Sequence, residues 1–233
     1  MIGIFVQLAL SWAFMWFFEK GNLSVLGWKP TRSRLHDFAV FFLITGLICA
    51  SGFFLKIVIA KQQWQVNTNV SWALLAEGAW WNIRSVLFEE LTFRGVLFYA
   101  LLRKLGATKA ILISSAAFGV YHWFSHNAFG NPQAMISEFI ITGAMGLVLA
   151  YGYAKTWSLY IPIAIHFGWN LVQQTIFSSG PIGNHLFVEI MPRPIVTVSY
   201  FSYFFMQLFP LISVLGINYW LIGRKRQMER SSA

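Results

Sequence analysis

Two adjacent glutamates and one arginine stand in an otherwise apolar stretch of the sequence. Glu89 and Glu90 are neighbours, and Arg94 is the fourth residue after Glu90. Residues four apart meet on the surface of a helix, so Glu90 and Arg94 can form an ion pair. Glu89 points about 100° away from Glu90 around the helix axis, and the residue four positions after it is Phe93. Glu89 therefore needs a partner on another helix, or water, and it is the first candidate for acid–base chemistry.

Two histidines in later apolar stretches each share a helix face with a second residue. Phe118 precedes His122 by four residues, and Asn170 follows His166 by four, a spacing that places both members of each pair on one face. Hydrolysis of an amide needs a base, a positioned water and donors aimed at the developing oxyanion. One carboxylate, two imidazoles and one amide can provide these groups. The alternative for each residue is a structural role, since polar side chains also join transmembrane helices.

The elements that position these residues must lie in a membrane. The 17 Lys and Arg and the 8 Asp and Glu make up 11% of the 233 residues, and 57% of the residues are hydrophobic. Soluble domains carry about 25% charged residues. The composition excludes an ordinary soluble globule, a disordered chain and a soluble nucleic-acid-binding protein. We predict an all-α, polytopic transmembrane helix bundle that has the lipid bilayer as a partner and no nucleic-acid partner.

A transmembrane helix needs about 20 mostly apolar residues, and this length predicts about seven spans, within a range of about six to eight. The predicted spans are residues 2–18, 38–60, 83–102, 110–124, 134–154, 157–177 and 195–222. The apolar stretch 70–81 is an interfacial or re-entrant helix, or an eighth span that is broken near Asn82. The stretch 2–18 lacks a basic start and a cleavage site, so we expect a span and not a signal peptide. We expect one integral-membrane domain, residues 1–233, with a catalytic core at 83–177.

Several other positions carry structural expectations. Pro210 predicts a kink in the last span, and Glu138 lies about one turn inside the fifth span, where we expect an interfacial or bundle-facing role. Small residues on the fourth and fifth spans favour close helix packing, namely Ser115, Gly119, Gly146 and Ala150. The remaining histidines fall in predicted loops, where we expect solvated side chains: His36, His126 and His185.

The Lys and Arg residues are distributed unequally between the two sets of loops. Twelve fall on one side, and two, Lys61 and Arg193, fall on the other. Cytoplasmic loops carry the excess of Lys and Arg, so we expect the C-terminus in the cytoplasm and the N-terminus outside. The twelve are Lys20, Lys29, Arg32, Arg34, Arg103, Lys104, Lys109, Lys155, Arg224, Lys225, Arg226 and Arg230.

The rise along a helix predicts a common depth for the candidate residues. At about 1.5 Å per residue, Glu89 lies roughly 9 Å from the non-cytoplasmic end of its span, Asn170 roughly 10 Å and His166 roughly 16 Å. His122 lies roughly 3 Å deep, or about 10 Å if its helix extends to Phe129. We therefore expect these polar groups to share one layer, which water reaches through a polar cavity.

The ordered set of three motifs resembles the CAAX protease and bacteriocin-processing family, also called the Abi family. This family includes the Ras-converting CAAX prenyl endopeptidase. The motifs Glu89-Glu90-x-x-x-Arg94, Phe118-x-x-x-His122 and His166-x-x-x-Asn170 occur in this order on three predicted spans. The resemblance implies a glutamic-type intramembrane endopeptidase, in a family whose members also carry the metallopeptidase label.

The resemblance also implies roles for individual residues. Glu89 and His122 would activate a water, and His166 and Asn170 would stabilise the oxyanion of the tetrahedral intermediate. Three further residues would hold the site together or contact substrate: Glu90, Arg94 and Phe118. The substrate would be a peptide or protein, lipidated or embedded in the membrane, and no cofactor would be needed. The resemblance fits a multi-pass protein of a bacterial plasma membrane.

Two rival functions stay open at the level of the sequence. Glu89, His122 and His166 could bind zinc with an open fourth position, as in a membrane metalloendopeptidase, although the sequence has no His-Glu-x-x-His motif. Intramembrane Glu, Arg and His can instead form a relay in a transporter, or a structural network in an immunity or scaffold protein. Transporters often carry repeated halves, and the sequence shows no repeat.

Overall fold

A computed structural model describes residues 2–225, which form a mainly helical chain with one small sheet. In chain order the elements are α1 (Ile2–Phe14), α2 (Arg32–Ala60), β1 (Trp64–Val66), α3 (Trp72–Arg94), α4 (Val96–Leu105), α5 (Ala107–Ser125), α6 (Pro132–Thr156), α7 (Tyr160–Asn170), β2 (Phe187–Glu189) and α8 (Tyr200–Gly223). π-helical turns extend α1 at Met15–Glu19 and α7 at Leu171–Ile176, and a 3₁₀ turn occupies Leu23–Leu26. The predicted class, a polytopic helix bundle, is confirmed.

Four described helices are long and apolar enough to cross a membrane: Ile2–Glu19, Arg32–Ala60, Pro132–Thr156 and Tyr200–Gly223. The other predicted spans correspond to α3 with α4, to α5, and to α7 with its π-helical extension, and the total of about seven stays a prediction. The last helix begins at Tyr200 and not at residue 195. The preceding stretch follows Pro194 and is rich in β-branched residues, which have a low helix propensity.

The predicted third span, 83–102, is wrong as a single helix. The chain breaks at Gly95, between the end of α3 at Arg94 and the start of α4 at Val96. A Cβ atom at position 95 would lie 2.0 Å from the carbonyl oxygen of Leu91, so this close approach leaves no room for a side chain at the break. The motif Glu89 to Arg94 therefore occupies the last two turns of α3.

Most of the apolar stretch 70–81 lies in the N-terminal half of α3, which begins at Trp72. The helix does not break at Asn82. The amide nitrogen of Asn82 donates to the carbonyl oxygen of Gly78, one turn earlier, at 2.8 Å. It also donates to the hydroxyl oxygen of Thr175 at 3.0 Å. A helix tolerates such a side-chain bond to the preceding turn, so this polar residue stays inside the helix.

The chain divides into two compact units. Within the described residues, the first comprises 2–38, 87–163 and 217–225, and the second comprises Ala39–Val86 and Ala164–Gly216. In the first unit, the connection between α1 and α2 packs into the turn between α6 and α7. The Tyr153 hydroxyl donates to the carbonyl oxygen of Val25 at 2.5 Å, and the Ser158 hydroxyl donates to that of Gly27 at 3.0 Å.

Ion pairs join helix ends in the first unit. The Arg103 guanidinium, near the end of α4, donates to the carboxylate of Glu19 at 2.6 Å. Lys225, after α8, pairs with Asp37 in α2. Several of the basic loops therefore meet at one end of this unit. The cytoplasmic orientation of that end stays a prediction, and two of its expected residues lie outside the described part of the chain: Arg226 and Arg230.

Small residues on α5 and α6 allow these two helices to pack closely in the first unit. A Cβ atom at Gly119 would lie 2.8 Å from the ring of Phe139. A Cβ atom at Gly146 would lie 3.1 Å from the Cα atom of Ser115. The close packing predicted for Ser115, Gly119 and Gly146 is confirmed.

In the second unit, aromatic side chains fasten the small sheet to the helices. β1 and β2 pair antiparallel, with Trp64 opposite Glu189. The ring of Trp64 meets those of Phe53 and Phe177 edge-on, at centroid distances of 5.6 and 5.3 Å. Phe53 and Phe177 stack with centroids 4.1 Å apart. The sheet is thus held against α2 and against the chain that follows α7.

His185 is buried in the second unit, where the sequence predicts a solvated loop side chain, so this expectation is wrong. Both polar groups of the His185 backbone form hydrogen bonds. Asn67 donates to its carbonyl oxygen at 2.9 Å, and its N–H donates to the Ser178 hydroxyl at 2.8 Å. Gly78 on α3 makes the room, because a Cβ atom there would lie 2.7 Å from the Nε2 atom of His185.

Candidate active site

Glu89 and His122 face each other from α3 and α5 within the first unit. The Nε2 atom of His122 lies 3.9 Å from the Oε2 atom of Glu89, and the two residues are only 7% and 9% exposed. This distance is longer than a hydrogen bond. A water oxygen about 2.8 Å from both atoms would bond them at an angle of about 90°. The two side chains can therefore share one water.

The backbone of α5 fixes the tautomer of His122. Its Nδ1 atom lies 2.8 Å from the carbonyl oxygen of Phe118. A carbonyl oxygen only accepts, so Nδ1 carries a proton, and when the ring is neutral Nε2 presents a lone pair. Nε2 and the Glu89 carboxylate are then both acceptors. A water that donates to both keeps its own lone pairs for attack on a carbonyl carbon.

Glu90 and Arg94 form the ion pair that their spacing predicts. The distance between Nη1 of Arg94 and Oε1 of Glu90 is 3.2 Å, and both residues are fully buried. Nη2 of Arg94 donates to the carbonyl oxygen of Gly146 on α6 at 3.2 Å. Arg94 therefore ties α3 to α6, and neither charged side chain is accessible to a substrate.

Phe118 packs between the guanidinium and the imidazole. The Cζ atom of Arg94 lies 4.2 Å from the centroid of the Phe118 ring, a distance at which a cation is attracted to the ring face. The ring of His122 meets the same phenyl ring at 4.4 Å, with 65° between the planes. Phe118 is buried, so its side chain supports the site from inside the bundle.

Gly146 contributes to the site although no sequence motif includes it. A Cβ atom at this position would lie 3.3 Å from Nη2 of Arg94 and 3.3 Å from the ring of Phe118. The missing side chain gives the guanidinium access to the backbone of α6. The signal in the sequence was a small residue on a predicted span, which indicates close packing but does not reveal the partner.

His126 is a second residue near the site that none of the three motifs contains. It follows the last residue of α5, and its Nδ1 atom lies 2.8 Å from Oε2 of Glu138 on α6. Its ring meets that of His122 at a centroid distance of 4.8 Å, with 80° between the planes. The expected solvated loop side chain is therefore only half correct, because the imidazole is paired although about half of it is exposed.

His166 and Asn170 lie in the second unit on α7. His166 is 7% exposed and Asn170 is partly buried. Asn170 is the last residue of α7, directly before the π-helical turns. At Gly168, between them, a Cβ atom would lie 2.6 Å from the carbonyl oxygen of Phe42, so α7 approaches α2 without room for a side chain.

The predicted site residues therefore fall into two groups. The first unit brings together five of them: Glu89, Glu90, Arg94, Phe118 and His122. The second unit holds His166 and Asn170 on one face of α7.

The spacing of Glu89 and His122 can be compared with that required by zinc. Bonds from zinc to nitrogen and oxygen are about 2.0–2.1 Å long in proteins. An ion bound to both atoms at their separation of 3.9 Å would subtend an angle of about 140°, against about 109° for a tetrahedron. The two side chains as placed do not fit a tetrahedral zinc ion. The third residue of the zinc alternative, His166, belongs to the second unit.

Comparison with known proteins confirms the resemblance that the motifs indicate. The family model described as Type II CAAX prenyl endopeptidase Rce1-like matches residues 71–172, a stretch that contains all three motifs. A protein of Bacillus subtilis (strain 168), named "Putative membrane peptidase YdiL", is 32% identical over 105 residues. The matched region is 45% of this chain and 38% of that relative. No solved structure was found to match the chain.

Proposed function

We propose that the chain is an intramembrane endopeptidase of the glutamic type, in which Glu89 and His122 activate a water. The observation that carries the proposal is the 3.9 Å separation of Nε2 of His122 and Oε2 of Glu89. The hydrogen bond from Nδ1 of His122 to Phe118 turns the lone pair of Nε2 toward the carboxylate. The likeness to a family of endopeptidases supports the same conclusion.

The proposed reaction starts from a water that donates to Glu89 and to His122. The water oxygen attacks the carbonyl carbon of the substrate, and one of its protons moves to the carboxylate of Glu89. The tetrahedral intermediate carries the negative charge on the former carbonyl oxygen. When the C–N bond breaks, the proton on Glu89 passes to the leaving nitrogen. The products are an amine and a carboxylic acid that keeps the second proton of the water, and Glu89 is ionised again.

We propose that His166 and Asn170 donate hydrogen bonds to the oxyanion. Donors that are fixed before the reaction stabilise developing charge without reorganisation. Their spacing along α7 aims both side chains in one direction, and their motif is the third of the ordered set that resembles the family. Glu90, Arg94 and Phe118 hold α3, α5 and α6 together in this proposal, because the ion pair is fully buried and Phe118 nearly so.

The proposed substrate is a peptide or protein that is lipidated or embedded in the membrane. The proposed location is a bacterial plasma membrane, with the basic end of the first unit in the cytoplasm. We propose that the reaction uses no metal, since the Glu89 and His122 side chains do not fit a tetrahedral zinc ion.

The test compares peptides from cells that express the wild-type chain with those from cells that express Glu89→Gln, by mass spectrometry. The proposal expects fragments that the wild type produces and that Glu89→Gln does not. Glu189→Gln is the matched control, since this carboxylate pairs with Arg193 in the second unit and should leave the fragments unchanged. Fragments from a correctly inserted Glu89→Gln protein in wild-type amounts would eliminate the proposed base. A chain without any cleavage products would favour the transporter or scaffold alternative.

A further inference from the structure

A partly exposed imidazole–carboxylate pair lies directly outside His122. A carboxylate oxygen only accepts when ionised, so the Nδ1 atom of His126 donates to Oε2 of Glu138 across 2.8 Å. The two side chains are 50% and 31% exposed. An isolated exposed ion pair contributes little to stability, about 0–1 kcal/mol. We therefore consider where this pair lies relative to His122, and not its contribution to stability.

The pair closes one side of the packing around the imidazole of His122. Phe118 meets this ring at 4.4 Å, Tyr121 at 5.4 Å and His126 at 4.8 Å. All three neighbours belong to α5 or to the residue that follows it. His126 is the only one of these three that lies beyond the end of the helix, and its backbone N–H donates to the carbonyl oxygen of His122 at 3.1 Å.

Glu138 constrains the side chain of His126. It stands on α6, and the carboxylate holds His126 in place across the connection between α5 and α6. A second hydrogen bond also joins the end of α5 to the start of α6, because the Trp123 indole donates to the carbonyl oxygen of Met135 at 2.8 Å. The last turn of α5, which carries His122, is thus fixed to the first turns of α6 at two points.

We propose that His126 and Glu138 are positioning residues for His122. Glu138 orients His126, and the ring of His126 keeps the imidazole of His122 turned so that Nε2 faces Glu89. This inference rests on the proposed function for its effect on turnover, but the orientation of the ring can be measured without any substrate.

The kinetic test uses substitutions that remove the hydrogen bond between His126 and Glu138 and one that preserves it. Glu138→Leu and His126→Phe each lower kcat about tenfold, as expected for partners that orient a functional histidine, and leave KM nearly unchanged. The double variant is no slower than either single variant, since both remove the same constraint. Glu138→Gln retains an oxygen that accepts from Nδ1 and restores most of the rate. Thermal unfolding in detergent shifts little in all four variants.

A spectroscopic test separates this proposal from the proposed function. In protein labelled with ¹⁵N-histidine, the signal that disappears in His122→Ala reports the tautomer of His122. The wild type shows protonated Nδ1, Glu138→Leu shows a mixture of states, and the control Glu189→Gln resembles the wild type. If the wild type cleaves no peptide but the His122 signal responds to Glu138→Leu, the proposed function fails and the positioning role stands. An unchanged signal and wild-type kcat in both Glu138→Leu and His126→Phe overturn the positioning role.

Discussion

The Nδ1 atom of His122 lies 2.8 Å from the carbonyl oxygen of Phe118, one turn earlier on α5. The acceptor is a backbone atom, so every residue at position 118 offers it. The helix backbone therefore supplies the acceptor that selects the tautomer when Nδ1 of His122 is turned toward it, and the Phe118 side chain acts separately, through its packing against the imidazole and Arg94. In this tautomer of the neutral ring, Nε2 presents its lone pair on the side of Glu89.

The third motif is tested by removing its donors one at a time. We predict that His166→Phe and Asn170→Leu each lower kcat about 10²–10³-fold with little change in KM, because in the proposed mechanism each removes a bond that forms only to the oxyanion. Steady-state cleavage of an identified substrate measures both constants. Phe167→Leu, on the same helix, is the control and should keep the wild-type kcat. A kcat within twofold of the control in either donor variant would remove that residue from the proposed oxyanion site.

Metal dependence gives a second prediction. The purified protein should keep its cleavage rate after dialysis against a strong chelator, because no proposed step uses a metal. Elemental analysis of the dialysed protein shows whether zinc has been removed. Loss of activity that added zinc restores would instead support the metalloendopeptidase alternative built on Glu89, His122 and His166.

Removing one partner of the buried Glu90–Arg94 ion pair should destabilise the protein more than removing both partners. Arg94→Met leaves the Glu90 carboxylate buried without the guanidinium, and it should lower the free energy of unfolding by about 3–5 kcal/mol. Adding Glu90→Leu removes the buried charge and should restore much of that loss. Denaturation by SDS in mixed micelles measures both changes. A double variant that is less stable than Arg94→Met alone would show that the pair stabilises the bundle by more than charge compensation.

Gly146 predicts a local packing effect with a matched control. Gly146→Ala places a methyl group 3.1 Å from the Cα atom of Ser115 and 3.3 Å from Nη2 of Arg94, so we expect a loss of about 1–3 kcal/mol in stability. At Gly216 on α8, a Cβ atom meets nothing within 4 Å. Gly216→Ala should be neutral or should stabilise the helix by up to about 1 kcal/mol. Equal effects of the two substitutions on unfolding in mixed micelles would contradict the packing argument.

The sequence predicted those features that depend on spacing along one helix. The Glu90–Arg94 pair and the shared faces of Phe118 with His122 and of His166 with Asn170 follow from the period of the helix. The apolar composition likewise predicted a membrane helix bundle. These are local properties, and the structure agrees with them.

The features that the sequence missed depend on contacts between distant segments. The break at Gly95 was hidden, since a single glycine is tolerated inside a helical pattern and only the clash with Leu91 requires it. The bond from His126 to Glu138 joins the residue that follows α5 to α6, and loop position alone favoured a solvated imidazole. The burial of His185 depends on Gly78, which belongs to another helix.

The π-helical turns Leu171–Ile176 set the rotation of the chain that follows Asn170. A π-helical turn holds about one residue more than an α-helical turn. An α-helix of the same length would therefore rotate everything after it by about 100° relative to the π-helical form. Thr175 would then turn away from Asn82, which now bonds to it at 3.0 Å. The bond between Asn82 and Thr175 thus depends on the π-helical form of this segment.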